Sequence, residues 1–539
     1  MAFGMAILNI VVHYYFEWSI ILLITSTYFE WSCQQTLGLS GCPLIACDPS
    51  GGFSFSGNPP LSNVTLRWQN NQGLAGDPDL GCIGISNRIV CPLRTANSTL
   101  VGIDAQSGEL VWRDSLLHFP SMPLMDFYSN TIACDGSLLV PFDSEGHLRG
   151  TPIPFSPPMN PVFSLTLTDN DAFIISGYDG KLVTYLMNGI IHASIFLKAS
   201  IDGVNGTFVP IITPVVSGHR AYFLTQFRPD SRGHKSKSDA PIYRLYAVDI
   251  LRQAVDRMKT IWFHTFNNSW NPALQKSEST QAINLSKTSK YYSKNKETHS
   301  SENQYSMLTK GSMIFLTLNT QHDNFVAGMR GDVQLDYTNS VNYLPSANSD
   351  QSETVLYGFN DTGSDYQILF TIKDSFIALS SAVGTSTSES RTVRSVHLLA
   401  TTNTTVYKID GENGKILQKI DLTTVFGEEV VLTSKMMVVT KILAGKTRSI
   451  DGDYILLAVS CVTAHCLPPR TQKHYVILVD MKTGELLWLV ATPDDRPVVG
   501  QLIGISSTSC LNEHSNCNVE SKDLIIAAAD GRIFALGGN

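Results

Sequence analysis

A chain of 539 residues, 43% hydrophobic and 16% charged, is long enough for a large core and poorer in charge than the roughly 25% usual for soluble proteins. Its formal net charge of −8 is mild for this length and, with Lys-rich stretches confined to low-complexity loops, argues against a nucleic-acid surface. The 39 glycines, with many β-branched and aromatic residues, fit an all-β protein of short strands and tight turns.

Residues 1–32 are apolar over Met1–Tyr15 and Trp18–Trp31, interrupted by Glu17. The run Ile20–Thr27 reads as the apolar part of a cleaved signal peptide, although no Lys or Arg precedes Arg67. It falls short of the roughly 20 residues that a spanning helix needs. A soluble mature protein is therefore expected, with retention of this segment as an N-terminal membrane anchor the alternative. Residues 33–62 form a cysteine-containing extension, and 63–539 the main domain.

That domain repeats itself. Leu100–Trp112, Val406–Gln418 and Val476–Trp488 each carry an alternating strand, an Asp, a Gly four residues on, and a second strand. Asp104/Gly108/Trp112 and Asp480/Gly484/Trp488 match position for position, while Asp410/Gly414 keeps the turn but has Gln418 in place of Trp. The spacing predicts a hairpin. The carboxylate accepts turn N–H groups, the Gly supplies a positive φ, and the Trp packs between neighbouring sheets with its N–H toward a turn carbonyl. Weaker copies lie at Leu138–Arg149, Ala172–Met187 and Tyr243–Leu251, with a degenerate unit expected within Met313–Phe370. The last copy, Leu524–Gly537, stops where the others continue into an outer strand. Asn63–Asn70 has the form of that missing strand, so it is expected to complete the C-terminal sheet and close a ring. Residues 277–306 read as a disordered insertion, and Arg228–Ala240 and Ser380–Ser395 as shorter flexible loops.

The ten cysteines include three close pairs, Cys82/Cys91, Cys461/Cys466 and Cys510/Cys517, which are disulfide candidates with connectivity open. Glycosylation candidates are Asn63, Asn97, Asn205, Asn267, Asn284, Asn360 and Asn403. Both sets point to the secretory pathway.

The Asp-x-x-x-Gly-x-x-x-Trp hairpins resemble the tryptophan-docking repeats of the quinoprotein (PQQ-like) β-propeller superfamily. The resemblance covers most of 63–539 and implies a single β-propeller with eight four-stranded blades. It implies two functions of different class. The expected one is a non-enzymatic scaffold with a protein partner, as in the propellers of the bacterial outer-membrane assembly lipoprotein, the unfolded-protein-response sensor and the ER membrane complex. The alternative is a quinone-dependent dehydrogenase holding PQQ and calcium in the central funnel. That enzyme class often carries adjacent disulfide-bonded cysteines, and no Cys-Cys pair occurs in this sequence.

No catalytic, cofactor-binding or metal residue is assigned. Cys461, His465, Cys466, Cys510, His514 and Cys517 offer soft ligands, but local disulfides are the better reading in an oxidising compartment. Leu443–Arg448 lacks the first glycine of a phosphate loop, and no G-x-S-x-G elbow occurs. Arg330-Gly331-Asp332 is retained only as an adhesion-type tripeptide.

Overall fold

The structure is a computed structural model that describes residues 41–538, apart from 71–80, 94–98, 119, 127, 160–164, 170–171, 178, 187–189, 231–241, 252–256, 267–305, 320–353, 375–377, 389–390, 435, 442–453, 463–471, 507–522 and 530–531. Among these residues the strands form seven sheets, built mainly of antiparallel meanders that follow the chain, with strands from residues 41–70 added to three of them. A typical sheet is Ala378–Ser388, Arg391–Thr401, Thr405–Asp410 and Ile416–Asp421, paired in that order. The unit too degenerate to place from sequence is Ser306–Lys310, Met313–Asn319, Thr354–Asp361 and Tyr366–Asp374. One sheet has nine strands, because the outer strand Ile191–Ile201 turns back into Val204–Pro210, which opens the next meander.

The first strands meet one another around a circle. Ile83–Ile85 touches Leu124–Met125, and Thr166–Leu167 touches Val215–Ser217. Val215–Ser217 touches Ser306–Lys310, which touches Ala378–Ser388, which in turn touches Met437–Lys441. Val498–Ile505 returns to Ile83–Ile85. Sheets radiating from a ring of first strands make a β-propeller. Its seam is the expected one. Val64–Asn70 pairs antiparallel with Arg532–Gly538, from Val64 opposite Gly538 to Asn70 opposite Ile533, and supplies the outer strand of the last sheet.

Three pairs of sheets are keyed by an aromatic ring on one and a turn glycine on the next. Trp68 donates its indole N–H to the Ala105 carbonyl at 2.9 Å. Its ring lies where a Cβ on Gly108 would come within 2.5 Å, and Gly108 has φ 75°. No other residue meets both demands without strain. Trp112 covers Gly146 in the same way and stacks on Phe142 with centroids 5.6 Å apart, while Phe370 covers Gly414. Trp112 differs from Trp68 in that its buried indole nitrogen has no hydrogen-bond partner. In these turns, and in the Gly484 turn that meets Ile420 instead of a ring, the carboxylates accept backbone N–H groups. Asp104 takes Gln106 and Ser107, Asp410 takes Glu412, and Asp480 takes Lys482 and Thr483, at 2.7–3.0 Å.

An ionic clasp joins two further sheets. Arg220 reaches Asp249 on its own sheet at 2.6 Å and Asp361 on the next at 2.7 Å, and the Tyr222 hydroxyl donates to Asp361 at 2.8 Å. Burial alone would push the Asp361 carboxyl up. The Arg220 guanidinium, the Gly363 N–H and the Tyr222 hydroxyl outweigh it and hold the group below the ordinary carboxylate value of 3.8.

Two loop expectations are corrected. Ser380–Ser395 is not a loop, because Ala378–Ser388 and Arg391–Thr401 pair along their whole length. Small Ser and Thr residues satisfy a strand ladder as well as a loop, and composition alone does not separate the two. The start of the expected loop Arg228–Ala240 is also strand, since Arg228 and Pro229 end Arg220–Pro229, whose register with Val204–Pro210 is set by main-chain pairing. The expected insertion lies outside the described residues except for Ser306, which begins a strand.

Truncating the seam ring, Trp68→Ala, is expected to lower unfolding free energy by about 3 kcal/mol in urea titrations; no measurable loss would mean that the seam does not depend on this docking. Arg220→Met should cost about 3 kcal/mol, because Asp361 is left buried and unpaired. Asp361 titrates lower in the folded than in the unfolded chain, so its stabilisation is present above about pH 4 and lost as pH falls through its folded value. Urea midpoints measured from pH 7 to pH 3 should therefore fall less in Asp361→Asn than in the parent.

Candidate functional site

Residues 41–58 lie inside the ring. Gly41–Cys42 pairs with Ile83–Ile85. From there the chain follows the inner wall, meeting first strands in their own chain order. The Pro43 carbonyl accepts from Met125 N–H at 2.8 Å, Pro49 from Val216 at 2.7 Å, and Ser50 from Thr309 at 2.8 Å. Gly52 accepts from the Ser380 hydroxyl at 2.6 Å, and Phe53 from Val438 N–H at 2.8 Å. Ser54–Gly57 then runs parallel to Met437–Lys441, and the Asn58 carbonyl accepts from Asp523 N–H at 3.2 Å. The segment leaves past Trp488, whose indole N–H binds the Pro60 carbonyl at 2.7 Å, and continues to the seam strand.

Local chemistry explains why this stretch coils so tightly. Cys42 and Cys47 are disulfide-bonded, and Cys47 N–H closes a turn onto the Leu44 carbonyl at 3.1 Å. Asp48 accepts the Ser50 N–H at 2.7 Å, an Asx turn that reverses the chain again. Cys42, Leu44, Ala46, Cys47, Phe53 and Phe55 are all buried. Ala46 N–H reaches the side-chain oxygen of buried Gln501 at 2.8 Å, and the Gln501 amide donates onward to the Cys82 carbonyl at 2.9 Å. Cys42–Cys47 and Cys82–Cys91 thus share one core cluster with Phe55. The Phe55 ring occupies the space that a Cβ at Gly504 would enter, 2.4 Å away.

This axis is where the resemblance places PQQ and calcium in the dehydrogenases, and here buried side chains of residues 42–55 occupy it. Beside the segment lies a cavity of about 50 Å³ lined by Ile45, Asp48, Thr166, Thr213, Val215 and Ser306. That volume admits a few waters rather than a tricyclic quinone. Among the described residues no group of three or more His, Cys, Asp or Glu is placed to hold a metal ion.

The other candidates are dispersed. Cys82 and Cys91 are bonded to one another, and Cys461 is disulfide-bonded, while Cys466, Cys510 and Cys517 lie outside the described residues. His465, His514 and Arg330–Asp332 lie outside them as well. Asn63 and Asn205 are exposed. Asn360 and Asn403 are half-buried, with the Asn360 amide oxygen accepting from Ser312. Asn97, Asn267 and Asn284 are not among the described residues. Cys134 is a buried free thiol whose burial pushes it up to about 12, which keeps it protonated and unreactive. Sequence reasoning missed the Cys42–Cys47 bond, although its separation of five equals that of the recognised pair Cys461/Cys466.

The class that fold and site define is a closed β-propeller with its axis filled by its own N-terminal segment. No protein-family profile matches the chain, and no curated protein matches it. Solved structures similar to it include BamB from Moraxella catarrhalis, 11% identical over 88% of this chain and 99% of that one, with a TM-score of 0.42. The computationally designed Ika8 protein is 9% identical over 86% and 97%, at 0.39. A europium-containing methanol dehydrogenase is 8% identical over 92% and 98%, at 0.36. The propeller assignment itself rests on the strand order and the seam.

The contact between Phe55 and Gly504 predicts non-additive energetics. Gly504→Ala should cost about 2 kcal/mol through overpacking, and Phe55→Ala about 3 kcal/mol through a cavity. The double variant should lose at least about 1 kcal/mol less than their sum. Strict additivity in a double-mutant cycle would place Phe55 elsewhere.

Proposed function

We propose that this chain is a secreted or lumenal propeller that serves as a non-enzymatic protein-interaction scaffold. The observation that carries the reading is the filled axis: the place where a propeller dehydrogenase would perform chemistry is taken up by buried side chains of residues 42–55. Function is thereby left to the rims and outer strands. There Leu110, Val111, Ile190, Ile191, Ile416 and Leu417 keep apolar side chains exposed. The Cys42–Cys47 and Cys82–Cys91 disulfides, the bonded Cys461 and the exposed sequon asparagines Asn63 and Asn205 support an oxidising, glycosylating compartment. In this reading 1–32 is a signal segment, 33–62 an extension that delivers the axial stretch, and 63–539 the ring. The nine-stranded sheet counts as two blades, giving eight in all.

Expression of the whole chain in a eukaryotic secretory host tests the compartment. The protein should appear in the medium with a glycosidase-sensitive mass, and retention as an unglycosylated cytosolic species would sink that part. Incubation with PQQ and Ca²⁺ tests the absence of chemistry. No stoichiometric cofactor absorbance and no alcohol-dependent dye reduction are expected, and either signal would favour the dehydrogenase alternative.

A further inference from the structure

The wall of the channel and the segment filling it are joined chiefly through the segment's main-chain carbonyls. Met125, Val216, Thr309 and Val438 each turn a backbone N–H inward, to carbonyls of Pro43, Pro49, Ser50 and Phe53 at 2.7–2.8 Å. Buried Ser380 adds its hydroxyl to the Gly52 carbonyl. None of these bonds reads a side chain of the segment. Two further features take a peptide in particular. Met437–Lys441 offers a free strand edge with which Ser54–Gly57 pairs in parallel, and Gly504 leaves a socket for the Phe55 ring. Buried donors without acceptors are costly, so the wall requires an occupant with carbonyls at peptide spacing. A flat aromatic cofactor or a sugar has no such run. A polypeptide does, and strand addition is the general way a sheet edge recognises its extended part, here Ser54–Gly57.

We propose that the inner wall of the propeller is a binding site for a polypeptide segment bearing an aromatic side chain at the Gly504 socket, and that residues 43–58 occupy it in cis, turned over residues 44–50 and extended over Ser54–Gly57. The fit is loosest at one place. Thr166, on the first strand that borders the 50 Å³ cavity with Ile45 and Asp48, has a buried hydroxyl with no hydrogen-bond partner. The assignment does not rest on secretion or on an external partner, so a failure of the secretion test leaves it standing.

The test uses the full chain with a sequence-specific protease site inserted between the exposed residues Leu61 and Ser62, cut after folding. The probe is a labelled synthetic peptide of residues 41–58 with its disulfide closed. The cut protein is expected to keep its segment, to unfold at a temperature that depends on protein concentration, and to exchange the segment for the labelled peptide. Uncut protein should take up none. The Phe55→Ala peptide should bind roughly 100-fold more weakly. Release of the segment on cutting, with unchanged thermal unfolding and no peptide uptake, overturns the proposal. Hydrogen exchange on the intact chain gives a second readout if the cut protein does not survive. Phe55→Ala should speed exchange at the Thr309 and Val438 amides by roughly tenfold or more, with outer-strand amides unchanged. Equal protection at those wall amides in variant and parent would also overturn it.

Discussion

Val438 turns its N–H toward the ring axis and finds the Phe53 carbonyl at 2.8 Å, as Met125, Val216 and Thr309 find Pro43, Pro49 and Ser50. A strand that is first in its sheet has one edge paired and one edge facing the axis, and buried edge amides must be satisfied by something. In this chain the satisfaction comes from within. The same N-terminal stretch that lines the axis leaves past Trp488 and becomes the outer strand of the last sheet. One continuous piece of chain therefore meets two demands that a circular array of sheets imposes, an occupied centre and a closed seam.

Around that centre the sheets are held by a recurring contact, in which a ring from one sheet covers a turn glycine of the next. Trp68 on Gly108, Trp112 on Gly146 and Phe370 on Gly414 are instances of it. This explains how much of the fold was legible in the sequence. Asp104, Gly108 and Trp112 stand at fixed spacing because each has a separate geometric task, and the copy at Asp480, Gly484 and Trp488 repeats it. The seam was legible for the same reason, since Asn63–Asn70 carries the Trp of a unit whose remainder stands at the other end of the chain. The unit at Ser306–Asp374 was not legible, because Phe370 replaces Trp and no Asp-x-x-x-Gly hairpin marks its turn. Ser380–Ser395 was misread because Ser/Thr alternation is neutral between ladder and loop.

The axial site was illegible for a different reason. Its recognition runs through carbonyl oxygens of Pro43, Pro49, Ser50, Gly52 and Phe53, and a carbonyl carries no residue identity. The side-chain signals that do exist are small. Cys42 and Cys47 five residues apart imply a tight loop, but not where it sits. Gly504 looks like any strand glycine until Phe55 is seen in the space it leaves. The Arg220 clasp was hidden likewise, since Asp361 lies 141 positions away along the chain.

Whether the N-terminal stretch fills the axis can be read from an anomalous sulfur map of crystals of the purified protein. The Cys42–Cys47 sulfur pair should lie inside the ring, in one cluster with the Cys82–Cys91 pair. Continuous density should run from Pro43 to Asn58 along the first strands. A Cys42–Cys47 peak outside the ring, with solvent or a quinone on the axis, would contradict it.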